Sequence, residues 1–112
     1  MPRQTEQPEL LPGTLEMLIL KTLTRGPNHG YGIAQHIERI SQDALRIGEG
    51  SLYPALQRLL MNSWVEAEWG ISEANRKARI YKINPAGRKQ LTQEVRNFDF
   101  QLAAIARVME SA

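Results

Sequence analysis

Between Glu49 and Trp69 the chain switches its hydrophobic period from that of a helix to that of a strand with only three residues between, and few small folds accommodate this. Leu52, Leu56, Leu59 and Leu60 fall at i, i+4, i+7 and i+8, the apolar stripe of a helix about three turns long. Ser51 reads as its N-cap. That cap would put Pro54 at the third helical position, where a missing N–H has no intrahelical partner to lose. The opposite face carries Ser51, Pro54, Gln57, Arg58 and Met61 and no carboxylate, which suits entry into a DNA groove. From Val65 the period is two, with Val65, Ala67 and Trp69 on one side and Glu66 and Glu68 on the other, as in a half-buried strand.

A chain of 112 residues has room for one domain with a modest core. Its apolar share of 42% against 23% charged is that of a globular protein, and no apolar run approaches the roughly 20 residues a bilayer-spanning helix needs. Met1 to Glu9 is polar, carries Pro2 and Pro8, lacks a signal-peptide core and reads as a disordered tail on a cytoplasmic protein with no membrane partner. With no cysteine, disulfides, thiol nucleophiles and thiolate metal sites are all excluded. The net charge of +2 is small, but its distribution is uneven. Arg76, Lys77, Arg79, Lys82, Arg88 and Lys89 lie between Asn75 and Gln93 with no acidic residue among them, a footprint for a polyanion.

Upstream, Leu10 to Arg25 reads as a first helix, with Leu11, Leu15, Leu18, Ile19 and Leu23 in helical period and Pro12 in its first turn. Met17 and Leu20 add a second ridge, so this helix is expected to be sandwiched between other elements. Gly26 to Gly30 is a turn, and Ile33, Ile37 and Ile40 mark a second helix. Ala44 to Ile47 alternates as a short strand would. After Trp69, Gly70 to Ala78 reads as a long hairpin loop, and Arg79 to Asn84 as the returning strand, with Tyr81 and Ile83 inward and Lys82 outward. A last helix is expected from Ala86 to about Met109, with Leu91, Val95, Phe98, Leu102, Ile105 and Met109 spaced as a heptad seam. These elements suggest a mainly α fold with a small β-hairpin (α+β), in which a helix feeding directly into a hairpin marks a winged helix. The expected divisions are a tail at residues 1–9, a DNA-binding domain at 10–84 and a dimerisation helix at 85–112.

Four stretches resemble the PadR family of bacterial transcriptional regulators. They are Leu11-Pro12-Gly13-Thr14-Leu15, Gly30-Tyr31-Gly32-Ile33, Glu49 through Leu56, and Tyr81 through Gly87, in the family's order and spacing over roughly residues 10–90. The resemblance implies a winged helix-turn-helix homodimer built on the terminal helices, binding a pseudo-palindromic operator in double-stranded DNA as a repressor that a small molecule releases. It also implies that Tyr31, Ser51 and Tyr53 contact the DNA backbone and that Arg76, Lys77 and Arg79 hold phosphates from the wing. Relatives carry glycine where Ser63 stands, just past the recognition helix, so Asn62 is expected to take the left-handed conformation instead.

Several residues need weighing against simpler roles. Tyr53 could be a half-buried aromatic with its hydroxyl in solvent, though its helix-start position favours DNA contact, while Tyr31 could equally serve as an aromatic lid on the turn Gly26 to Gly30. Trp64 and Trp69 flank the helix-to-strand junction and are expected to pack in the core. His29 and His36 lack the partners of a metal site, and no cofactor is implied. Ser51, His36 and Asp43 could be named as a triad, but no nucleophile elbow surrounds Ser51, so no enzyme is expected. The rival is a winged-helix module that binds protein and never touches DNA. Against it stand the basic run and the recognition face, where Gln57 could bond adenine and Arg58 guanine in the major groove. The seam of the last helix, with Met17 and Leu20 of the first, forms the expected dimer interface, and Phe98 and Phe100 are the candidates for effector contact.

Overall fold

A computed structural model describes residue 10 and residues 13–112. The tail Met1 to Glu9, and Leu11 and Pro12 of the first expected motif, lie outside the described residues. Four helices and a three-stranded antiparallel sheet follow in the order α1 (Thr14–Leu23), β1 (Asn28–His29), α2 (Gly30–Ile40), α3 (Glu49–Met61), β2 (Val65–Ile71), β3 (Lys77–Ile83) and α4 (Pro85–Glu110). This is the expected α+β winged helix-turn-helix.

α1 begins at Thr14 rather than Leu10, because Gly13 turns the chain through a left-handed conformation and its carbonyl accepts the first helical bond from the Met17 N–H. The helix is buried nearly all round, as its two apolar ridges require. Ile19, Leu20 and Leu23 meet Ile33 and Ile37 of α2, Leu52, Leu56 and Leu59 of α3, and Val65, Tyr81 and Ile83 of the sheet in one core. The stripe of α2 ends early, since Ile40 is exposed.

The third strand is not where alternation placed it. Ala44 to Ile47 forms a loop in which side chains satisfy the backbone, with the Leu45 N–H donating to Ser41 Oγ at 3.1 Å and the Ile47 N–H to Glu38 Oε2 at 2.7 Å. Leu45 and Ile47 nevertheless pack against the core. The strand comes from the expected turn, where Asn28 lies opposite Tyr81 and His29 opposite Ile80, giving the order β1-β3-β2. β2 and β3 run longer than expected, from Val65↔Ile83 out to Ile71↔Lys77, so the loop shrinks to residues 72–76.

Both ends of α3 differ from expectation. Gly48 caps it, accepting from the Leu52 N–H at 2.9 Å, and Ser51 sits inside the first turn. Pro54 is therefore the sixth helical residue and leaves the Gly50 carbonyl without its usual donor. At the other end Ser63 itself, and not Asn62, is left-handed, with φ 61°. The Ser63 N–H donates to Leu60 O at 3.0 Å and the Trp64 N–H to Leu59 O at 3.1 Å, the paired bonds of a Schellman motif. Asn84 then joins this turn to α4, donating from Nδ2 to Ser63 O at 2.8 Å while Oδ1 accepts from the Gly87 N–H at 2.7 Å. Gly87 packs so closely that a Cβ there would stand 2.1 Å from the Trp64 carbonyl oxygen.

Two substitutions test this junction. Ser63→Gly relieves a left-handed side chain and should raise the unfolding free energy by about 0.5–1 kcal/mol. Gly87→Ala must force backbone apart and should lower it by more than about 2 kcal/mol. Urea unfolding of both variants checks the pair of opposite signs.

Candidate nucleic-acid interface

The N-terminus of α2, the start of α3 and the wing hairpin β2–β3 converge on one groove of about 880 Å³. Tyr31, the second residue of α2, and Tyr53, on the second turn of α3, form one side, and Arg76, Lys77 and Arg79 of the wing form the other. These five of the nine expected DNA-binding residues meet around a single concavity, with Tyr81 in its lining.

Local chemistry explains the placement. The ring of Tyr53 fits over the start of α2 because residue 30 is glycine, where a Cβ would come within 2.9 Å of the ring and hydroxyl. The Tyr31 hydroxyl accepts from Gln35 Nε2 at 3.2 Å, one turn along α2. His29 caps that helix, its Nδ1 accepting from the Gly32 N–H at 3.1 Å, so the positive end of the helix dipole faces the groove beside the wing cations. Burial pushes the Tyr81 phenol up, with Arg79 opposing and Tyr53 adding to the shift, so that hydroxyl keeps its proton. Carboxylates are largely kept away. Glu66 and Glu68 alternate onto the other face of β2, Glu66 opposite Lys82, and of the acids among the described residues Glu73 alone reaches the groove lining.

The remaining candidates lie on the exposed face of α3 rather than in the groove. Ser51, Pro54 and Gln57 are exposed, Gln57 one turn beyond Tyr53. Arg58 is not a free guanidinium. Its Nε donates to Glu16 Oε2 of α1 in an ion pair across 42 residues of sequence, a carboxylate that no inspection of α3 alone could reveal.

Trp64 packs against the core as expected, but Trp69 does not: it is 60% exposed on the wing, because the sheet runs on past the core at Tyr81. His29, Gln35 and Trp69 are the interface neighbours that sequence reasoning missed. The exposed tryptophan carried a signal only in the basic residues across the ladder. The nominal triad stays apart. No hydrogen bond among the described residues joins Ser51, His36 and Asp43, and His36 Nδ1 lies 3.3 Å from Arg39 Nη2. Partial burial, with Arg25 and Arg39 nearby, holds the His36 imidazole below its usual range. No group of His, Asp or Glu suited to a metal occurs among the described residues.

Apart from that groove, Met17 and Leu18 of α1 and Leu91 and Val95 of α4 line an apolar cleft of about 530 Å³ with Lys21, Thr92 and Arg96. Phe98 lines a smaller neighbouring cleft with Met17. Leu20 has no exposed surface and belongs to the core rather than to any interface; Leu18 takes its place. Phe100 lies two residues from Phe98, about 200° around the helix, and is exposed away from both clefts. Past Phe98 the seam leaves the globule, and Leu102, Ile105 and Met109 are all more than half exposed.

Comparison with known proteins agrees with this architecture. A transcriptional regulator from Clostridium thermocellum superimposes with a TM-score of 0.78 at 27% identity, over 85% of this chain and 92% of the other. A transcriptional regulator of Mycobacterium tuberculosis is 34% identical over 61% of this chain and 60% of its own length. An uncharacterised 37.1 kDa transposon protein of Streptomyces fradiae is 40% identical over 87% of this chain, which spans 26% of that protein. The chain thus covers less than two thirds of either of these two relatives. No helix among the described residues is long and apolar enough to cross a membrane. The profile of the transcriptional regulator PadR-like family matches residues 19–93, and the chain belongs to that family of DNA-binding regulators, which are not enzymes.

Proposed function

We propose that this protein is a sequence-specific repressor that binds a pseudo-palindromic operator as a homodimer and is released when a small molecule enters between its first and last helices. The observation that carries the reading is the convergence of two tyrosines and three wing cations on one groove beside an exposed, amide-bearing helix face. Residues 10–84 form the DNA-binding unit and residues 85–112 the dimerisation helix, working in the cytoplasm of a bacterial cell.

In this reading α3 enters the major groove. Gln57 meets a base edge, where its amide can bond adenine bidentately. Ser51, Tyr53 and Pro54 lie against the backbone at the helix start, and Tyr31 joins them from α2. Arg76, Lys77 and Arg79 hold phosphates, which sets register without reading sequence. Glu16 holds Arg58 through Nε, so a guanine edge either meets the remaining guanidinium N–H groups or competes with a carboxylate already in place. Two copies related by a two-fold axis place their helices on half-sites about one helical turn apart, or a multiple of it. Their contact is the exposed seam of Val95, Leu102, Ile105 and Met109, with Leu91 and Met17 at its base. The apolar cleft between α1 and α4, with Phe98 beside it, is the place for the effector.

Three experiments test these roles. Arg76→Ala and Lys77→Ala should each weaken binding to all duplexes alike and flatten the log affinity against log salt plot by about one unit per lost phosphate contact. Unchanged slopes would remove the wing from the interface. Gln57→Ala should lower operator affinity by about 1–3 kcal/mol with little effect on random DNA, as competition titrations on the two duplexes would reveal. Leu102→Glu places a charge in the middle of the seam and should give folded monomers with collapsed operator affinity. Sedimentation, circular dichroism and DNA binding on one sample check it; a variant that stays dimeric and binds normally contradicts the assembly.

A further inference from the structure

The wing carries an exposed indole that the DNA contacts above do not use. Trp69 lies opposite Arg79 in the β2–β3 ladder, between the pairs Ala67↔Tyr81 and Ile71↔Lys77. Directly opposed residues point to the same side of a sheet, so Trp69, Arg79 and Lys77 share the side on which Tyr81 faces the groove. Lys77 Nζ lies 5.2 Å and Arg79 Cζ 5.5 Å from the centre of the Trp69 ring system. Both cations line the groove and the indole does not.

We propose that Trp69 is a positioning residue, a platform that holds the Lys77 and Arg79 cations toward the phosphates of bound DNA. The inference rests on the DNA reading of the wing. Long cationic side chains on an exposed hairpin sample many rotamers, and ordering them on binding opposes association. A ring face that attracts both removes part of that ordering from the binding step. Cation–π attraction consumes no N–H donor, and neither cation forms a hydrogen bond or ion pair with another of the described residues. Their donors therefore remain available to phosphate oxygens while the cations rest on the indole. The shared ring also offsets the repulsion between two like charges only two residues apart. Trp69 is the aromatic suited to this, since tryptophan has the strongest face for a cation.

A double-mutant cycle on the full chain tests the platform, read by titration of a random-sequence duplex at fixed salt. Trp69→Leu should weaken binding about fivefold, the scale of one to two exposed cation–π contacts, and Trp69→Phe should recover most of that loss. In the Lys77→Ala/Arg79→Ala background, Trp69→Leu should change affinity less than twofold, because the groups it positions are gone. An equal loss in both backgrounds would overturn the proposal, since Trp69 would then act on DNA or on wing stability directly. So would an unaffected Trp69→Leu variant in a protein that Lys77→Ala/Arg79→Ala weakens. If Lys77→Ala/Arg79→Ala binds as tightly as the parent, the DNA reading of the wing itself falls, and the platform with it.

Discussion

The burial of α1 is the constraint on which the rest depends. Ile19, Leu20 and Leu23 are at most 1% exposed in a helix of only ten residues, and no single neighbour could cover all its faces. α2, α3 and the sheet close around one side and the first turns of α4 lie on the other. Each fully buried leucine or isoleucine contributes roughly 1.5–3 kcal/mol of transfer free energy, so three on one short helix outweigh any single cap or ion pair on the surface. Because α3 and the sheet share that core, the recognition face and the wing hold one fixed relation. The groove between them is a consequence of packing.

The same helix touches both the apolar cleft and the exposed face of α3. Met17 and Leu18 line the cleft against α4, while Glu16, one residue away, grips Arg58 on α3. The ion pair has more than half of one partner's side chain in solvent, so its strength is modest and salt-sensitive.

Much of this was legible in sequence because periodicity reports burial. The stripes of α1 and α3, the inward Tyr81 and Ile83, and the outward Lys82 all follow from spacing alone, whereas the seam of α4 is spaced for burial yet exposed past Phe98. What was not legible depended on partners distant in sequence. Asn28 and His29 form a strand because β3 has a free edge beside them, whereas the equally alternating Leu45 and Ile47 meet side chains that satisfy their N–H groups. Local rules also failed where the neighbour was backbone: Gly48 caps α3 in place of Ser51, and Ser63 accepts the left-handed turn since two carbonyls and the Asn84 amide hold it. At the candidate site, residue types pointed to the wing and the tyrosines. The pairing of Arg58 with Glu16, the burial of Leu20, and the outward position of Phe100 and Trp69 required the tertiary structure.

If the proposed function holds, the N-terminus of α2, the exposed face of α3 and the wing act as one surface toward duplex DNA. Backbone amide chemical shifts of labelled protein, followed while a short duplex is added, test it most directly. The largest changes should cluster at Tyr31, Tyr53, Gln57 and Arg76 to Arg79, with the buried residues of α1 barely moved. Changes concentrated on the seam of α4, with α3 and the wing silent, would contradict it.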